Sequence, residues 1–549
     1  MFILTMTAIT KTCTASGRPF VVTDEDQAFY TKMGVPAPTL CPEERMRRRL
    51  AHRNERRLYH RKCDLCKKEI IAMYSAESSY NIYCQTCWWS DKWDAKSFAQ
   101  EVDFNRPFFD QMAELMHKVP RISLMNKEHE NAEYCNFAWR NKNSYLCTTS
   151  GECEDAFYTK RSWNCRNVAD CSNMTACELC YECIDCRNCY NCLWLQNSSD
   201  STDCTLGYNL KNCKNCFGCY NLVNQSFCIY NEKYSPEEYA KKLSELKKNL
   251  PAEVEKFQKL HTISRKFMDA INVEHCSGDA VYNSKNAQFC FDVNQMEDCK
   301  FVFDASFVKD AYDVNNEDHS ELVYEANGSE TNYMHRFSDI CWFNKFLTYC
   351  SLCFHSEYLF GCVGMNKGKY CILNKEYSKK DYEALVVRIV EHMKQTGEWG
   401  EYFPMQLSAF AYNETVANDT YPLKEEEAKK QGLRWAKDTE ELAYQGPKLT
   451  PPENINEADA ETTKKIYTCS VSEKFYRITP QEFELYKKLG VPLPKKCPEQ
   501  RFKERMARKN PRVLWQRPCS SCGITLQTVY PLERPERVLC ETCYLKEMY

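Results

Sequence analysis

Glycine is scarce in this chain, 16 of 549 residues, and the glycine-rich loops that cradle phosphates in nucleotide-binding folds are missing with it. There is no Walker loop, nucleophile elbow, zincin helix or Rossmann fingerprint, so an enzyme built on any of those constellations is excluded. No apolar run approaches the length of a membrane span, and no membrane partner is expected. The opening MFILTMTAIT is apolar but short, has no basic start and runs straight into Lys11 and Cys13, which does not fit a secretory signal. A composition typical of disorder is also lacking: 43% of residues are hydrophobic and 27% charged, enough apolar material for folded domains. Several domains are expected, because one core rarely sustains more than about 250–300 residues.

What the chain has in quantity is cysteine, 36 residues, largely in Cys-x-x-Cys pairs. Disulfide scaffolds are usually small, so this usage fits a reducing, cytoplasmic setting better. Charge is unevenly spread. Residues 1–87 carry +5 and residues 467–549 carry +7, which leaves −15 for the middle of a chain whose net charge is −3.

Two duplications are nested in the sequence. At an offset of 456 residues, Cys13, Cys41, Cys63, Cys66, Cys84 and Cys87 fall on Cys469, Cys497, Cys519, Cys522, Cys540 and Cys543, and KMGVPAPTLCPEER matches KLGVPLPKKCPEQR. The middle repeats at an offset of 143, where FGCYNLVNQSFCIYNEKYSPEEY from Phe217 matches FGCVGMNKGKYCILNKEYSKKDY from Phe360. Inside the first half, Cys177, Cys186, Cys189 and Cys192 recur 27 residues on as Cys204, Cys213, Cys216 and Cys219. The chain is ordered module, half, half, module.

The middle has short runs of Asn, Tyr, Phe, Val and Cys with no sustained helical period, which points to short stacked strands. The expected fold is mostly β with flanking helices: a duplicated β-solenoid, with Asn and Cys ladders at its corners, between two treble-clef or zinc-ribbon modules. Greek-key or sandwich domains are the alternative. The expected boundaries are an N-terminal zinc module with a basic helix over 1–100, a docking helix over 101–130, and solenoid halves with terminal helices over 131–265 and 266–400. A helical and linker region over 401–466 and a C-terminal zinc module over 467–549 complete the chain. Ser235 and Ser378 are expected helix caps, and RPFFDQMAELMHKVP is expected to dock the first module through Phe108, Phe109, Met112, Leu115 and Met116. Residues 446–462 have the composition of an exposed linker.

Four thiolates suit a tetrahedral zinc ion, and two Cys-x-x-Cys knuckles joined by a hairpin supply them. Cys63, Cys66, Cys84 and Cys87 form one such set, and Cys519, Cys522, Cys540 and Cys543 form the other, so two Zn2+ per chain are expected. Upstream, Cys13-x-x-Ser16 and Cys41-x-x-Glu44 look like eroded knuckles, and Cys469 and Cys497 repeat them. These cysteines are candidate ligands of a degenerate site, although two thiolates leave zinc under-coordinated.

Between the two sub-sites, Arg45, Arg47, Arg48, Arg49 and Arg53 make a dense basic segment, matched by Arg501, Lys503, Arg505 and Arg508. Arginines at this density beside a zinc knuckle suit phosphate contacts with RNA or DNA, with Tyr59 or Trp515 available for stacking. The alternative is a helix face that pairs with the acidic middle. At these tracts, CPEER, YCQTCWWSDKWD and YNETVANDTYPLKEEEA, the chain resembles an uncharacterised family of large cysteine-rich proteins with zinc-ribbon-like ends. The resemblance spans nearly the whole chain. Members of that family carry cysteine where this sequence has Ser16 and Glu44, and the resemblance implies no activity.

Cysteines at every third position from Cys177 to Cys192 invite an iron–sulfur or metallothionein-like reading. The second half argues against it, since Ser320, Val323, Ala326, Ser329, Asn332 and His335 stand at the equivalent positions. Ligands do not exchange with Val and Ala, whereas packed thiols do. The repeated pairs Glu154-Asp155 and Glu297-Asp298 could be paired acids of a carbohydrate-active β-helix, or turn carboxylates. The expected function is a zinc-binding scaffold, with basic ends that bind nucleic acid, RNA more than DNA. Its alternatives are a protein-interaction scaffold and a β-helix enzyme.

Overall fold

In a computed structural model of the chain, residues 8–260, 263–437 and 446–548 are described. The first seven residues, where most of the apolar opening lies, fall outside them.

The repeating unit of the centre is three residues long. From Glu128 to Tyr230, and again from Ala280 to Leu373, nearly every third residue is left-handed, as at Asn167 (φ 53°) and Asn188 (φ 52°). Each such residue turns the chain, and the residue after it points inward. Four triplets complete a coil, so Glu154 pairs in parallel with Arg166, Arg166 with Glu178, and Glu178 with Tyr190. The second half keeps the same 12-residue register from Lys309 through Glu321, Tyr333, Lys345 and Glu357 to Lys369. The mostly β architecture with a β-solenoid centre is therefore as expected.

Left-handed backbone explains the asparagines. Asn and Asp tolerate this conformation best after glycine, and one coil apart their side chains hydrogen-bond along the stack. Asn188 donates to Asp200 at 2.9 Å, Asn191 to Asp203 at 2.7 Å and Asn212 to Asn224 at 2.7 Å. Cysteine does not share these ladders, contrary to expectation. All sixteen cysteines of residues 125–267 line the interior. A thiol there donates to the carbonyl two residues back, as Cys180 does to Glu178 (3.4 Å), and serine does the same, as Ser201 does to Ser199 (2.9 Å). The 27-residue spacing seen in the sequence is nine triplets and does not coincide with the 12-residue coil.

The two halves differ in frame by one residue. Ala270 pairs with Val281, 11 residues on, whereas Gly278 pairs with Cys290 in the regular register. Gly278 makes the shortened coil possible: a Cβ there would lie 1.7 Å from the carbonyl oxygen of Cys290.

The chain divides into two compact units, each assembled from distant parts of the sequence. One joins the N-terminal module, up to Leu124, to Met268–Ala436 and Arg512–Leu514; the other joins Met125–Phe267 to Lys437–Pro511 and the C-terminal module from Trp515. In the first unit the helix Phe108–Lys118 packs against the solenoid half and the Glu398 segment. Phe108 packs edge-on against Phe360, and Glu398 accepts the backbone N–H groups of Phe108 (2.8 Å) and Phe109 (2.6 Å). The helix Lys379–Gln395 closes this solenoid half behind its Ser378 cap. Residues 397–436 then wrap the module, with Tyr74 stacked on Phe410 at 5.0 Å and the Ser408 hydroxyl bonded to the Ala51 carbonyl.

In the second unit the helices Pro236–Lys247 and Leu250–Gln258 close the other half, the first behind a Ser235–Glu238 capping box. Residues 446–462 are mostly exposed, but three of their apolar residues are partly buried. Leu449, Ile455 and Ala458 pack into the apolar cluster beneath the helix Pro480–Leu489, because three apolar residues spaced through a polar tract can follow a surface groove. No helix among the described residues is long and apolar enough to cross a membrane.

Candidate metal centres

Each module contains the same element twice: a β-hairpin whose tip is a Cys-x-x knuckle, followed by a helix that begins at a second cysteine. Four knuckle turns share one hydrogen-bond pattern. Cys13, Cys63, Cys469 and Cys519 each donate their N–H to the residue five further on and accept from the residue four further on, as in Lys67 N–H to Cys63 O at 2.8 Å. A left-handed residue closes each turn: Gly17, Lys67, Glu473 and Gly523. Cys41 and Cys84 are the N-caps of the helices Pro42–Leu50 and Gln85–Trp88, Cys497 caps Pro498–Arg508, and Cys540 precedes Glu541–Met548. Hairpin knuckle plus helix start is the treble-clef arrangement.

The downstream element of each pair is complete. The four Sγ atoms of Cys63, Cys66, Cys84 and Cys87 lie within 4.8 Å of one another, and so do those of Cys519, Cys522, Cys540 and Cys543. Cys66 and Cys84 Sγ are 3.9 Å apart, and Cys522 and Cys540 Sγ are 3.8 Å apart. A tetrahedral ion with Zn–S bonds of about 2.3 Å places its sulfurs about 3.8 Å apart, so these tetrads have the right span. Backbone N–H groups also point at the sulfurs, Cys84 N–H at Cys63 (3.3 Å) and Cys540 N–H at Cys519 (3.3 Å). Burial opposes ionisation of Cys63 and Cys519, but the N–H groups around them outweigh it, and the thiols fall to about 7 and about 6. Such donors stabilise thiolate, the form that binds metal. The two sites differ in cover: Cys63 and Cys87 are buried, whereas Cys522 is exposed.

The upstream element has kept its shape but not its ligands. Ser16 Oγ lies 3.8 Å from Cys41 Sγ, and Ser472 Oγ 3.5 Å from Cys497 Sγ. Glu44 turns away to Arg18 and Arg47. Cys13 and Cys41, and likewise Cys469 and Cys497, find no third His, Cys, Asp or Glu ligand among the described residues. Nor does the cysteine-rich interior of the solenoid form such a group there, and burial holds thiols such as Cys299 up at about 12.

The chain matches no family model and no curated protein. Geometry alone carries the assignment.

The basic segments meet carboxylates of the solenoid halves, one of the two readings the sequence left open. In the first unit Arg45 binds Asp313 (2.9 Å), Arg49 binds Glu325 (3.0 Å) and Asp313 (3.5 Å), and Arg48 bridges Glu325 (3.0 Å) and Glu401 (2.7 Å). In the second unit Arg501 and Arg505 bind Asp170 (3.2 and 2.6 Å), and Arg505 and Arg508 bind Glu182 (3.5 and 2.5 Å). Arg45 and Arg49 correspond to Arg501 and Arg505, and Asp313 and Glu325 to Asp170 and Glu182, by the two sequence offsets. The same latch is thus built twice. Burial opposes the charge on Arg45 and Arg501, yet their carboxylate partners raise both well above the ordinary guanidinium value. Arg53 is buried on Glu55, and Arg47 holds Glu44 and Tyr412. Of the nine basic residues proposed for phosphate contact, Lys503 alone keeps a mostly exposed side chain, 61%. Tyr59 is bonded to Glu414. Asp313, Glu325, Asp170 and Glu182 were missed in the sequence; their signal is an acid at a left-handed position that recurs at the half-to-half offset.

Glu154 pairs with Arg166 (3.1 Å), and Asp298 accepts from Asn286 (2.7 Å) in an exposed ladder. Both repeated acidic pairs are thereby engaged in ladder contacts on the coil surface.

Proposed function

We propose that this protein is a zinc-binding scaffold in which each terminal module holds one Zn2+ and clamps one solenoid half. The observation that carries the proposal is the pair of four-thiol sites with tetrahedral span and N–H donors on their sulfurs. Four soft thiolates with no place for water or substrate favour a structural zinc ion over a catalytic one. The metal would fix the knuckle against the helix start, and the neighbouring helix carries the arginines that reach the solenoid carboxylates. Elemental analysis of the purified chain should give two zinc ions, and less than one equivalent, or iron in its place, would sink the proposal.

Nucleic-acid binding is the second reading, and the ion pairs weigh against it: the arginines that motivated it already neutralise buried carboxylates. Titration of single-stranded RNA and duplex DNA at two salt concentrations separates the readings. The scaffold predicts no steeply salt-dependent binding, whereas a large salt slope would restore the phosphate-clamp reading.

A further inference from the structure

The two solenoid halves have diverged on one face. In the first half, the left-handed positions Asn164, Asn188, Asp200 and Asn212, and beside them Asn167, Asn191, Asp203 and Asn215, hold residues suited to that backbone. At the equivalent positions the second half has Phe307, Thr331, Phe343 and His355, and Asp310, Met334, Phe346 and Tyr358. Bulky residues strain a left-handed backbone, so their presence here is not explained by the coil itself. Nor are Phe307 and Phe343 buried, at 46% and 45% exposed, and the strand residue Tyr333 on the same face is 39% exposed. They are ordered by stacking on one another, Phe307 on His319 (4.4 Å), Phe343 on His355 (5.0 Å) and Phe346 on Tyr358 (4.6 Å).

Two columns are open to solvent on this face at one residue per coil. One reads Lys309, Glu321, Tyr333, Lys345, Glu357. Turned end for end about Tyr333, it sets Lys309 opposite Glu357 and Glu321 opposite Lys345, so every charge meets its opposite. The flanking exposed column obeys the same operation: Phe307 meets His355 and His319 meets Phe343. A two-fold axis lying in the face and perpendicular to the coil stack brings each column against its own reversed copy, the requirement of an isologous interface. Equal coil spacing keeps all five levels in register.

We infer that this face is a self-association surface, on which a second copy of the chain packs with its coils antiparallel about a two-fold axis at Tyr333. Its five levels are separated by four coil spacings, roughly 19 Å, so the dimer is reversible rather than obligate. Sedimentation velocity of the full zinc-loaded chain should show a monomer–dimer equilibrium that shifts with concentration. Phe307→Asn with Phe343→Asp places at each site a residue of the kind the first half carries there, so the variant should fold at least as well, keep its zinc, and dimerise at least about tenfold more weakly. Lys345→Glu should weaken the dimer, and adding Glu321→Lys should restore it to within about threefold, because those two residues face each other across the axis. A wild-type chain that stays monomeric at all accessible concentrations would overturn the inference. So would a dimer indifferent to the double aromatic replacement, or a charge swap that fails to rescue.

Discussion

Cys180 shows how the interior uses sulfur. It is fully buried between Val168 and Cys192 on neighbouring coils, and Val323 holds its place in the second half. Cys180→Val should leave the metal content unchanged and cost less than about 1.5 kcal/mol, as volume-conserving swaps do; loss of metal on this substitution would contradict a packing role. Glu317 is the opposite case, a carboxyl inside the second half that accepts from Ser320 and from Asn332 (3.3 Å). Burial pushes it up to about 8. A raised acid holds its proton more tightly folded than unfolded, so its contribution is complete below about 4.5 and is lost as pH rises through about 8. The loss is at most about 5 kcal/mol. Glu317→Gln keeps the acceptor and removes the charge, so thermal melts should show it more stable than the parent at pH 8.5 and indistinguishable at pH values well below 4.5. An equal gain under both conditions would rule out the titration.

Among elements, the helices Pro42–Leu50 and Pro498–Arg508 do the docking. Removing Arg49 leaves Glu325 and Asp313 short of a partner in a buried site, which costs about 3–5 kcal/mol where such pairs are broken. Arg49→Met should therefore lower the denaturant midpoint of its unit sharply, and Glu325→Gln added to it should recover part of the loss. If the single replacement is silent, the latch is not a determinant of docking. The four-cysteine knuckles, the capped helices at Ser235 and Ser378 and the apolar face of the helix Phe108–Lys118 were legible because caps, Cys-x-x-Cys spacing and helical periodicity are local signals. The coil length was not, for a physical reason. Its unit is a triplet whose mark is Asn-Cys or Asp-Cys, as at Asp185-Cys186, Asn188-Cys189 and Asn191-Cys192, and neither the two-residue strand period nor the 3.6-residue helical period detects three. The fate of the arginines was hidden too, since partners 276 residues apart leave no local trace.

For the whole molecule, the assignment of modules to halves has a measurable signature. The N-terminal module shares its unit with Met268–Ala436, so a lesion in its four-thiol site should be felt there. Cys66→Ser should raise hydrogen exchange in the coils around Asp313 and Glu325 while sparing those around Asp170 and Glu182. Equal deprotection of both halves, or deprotection confined to residues 125–267, would show that the modules are not partitioned in this way.

That partition also sets a timetable for a chain growing on a ribosome. Arg49 emerges 276 residues before the Glu325 it will bind, a wait of roughly 15–55 s at 5–20 residues per second. Throughout that interval Arg45, Arg48 and Arg49 lack the solenoid carboxylates Asp313 and Glu325 that they will bind. The first solenoid half waits in the same way for Arg505, 335 residues after Asp170. Neither unit can close early, and the two latches can be completed only in the order in which their later partners leave the tunnel.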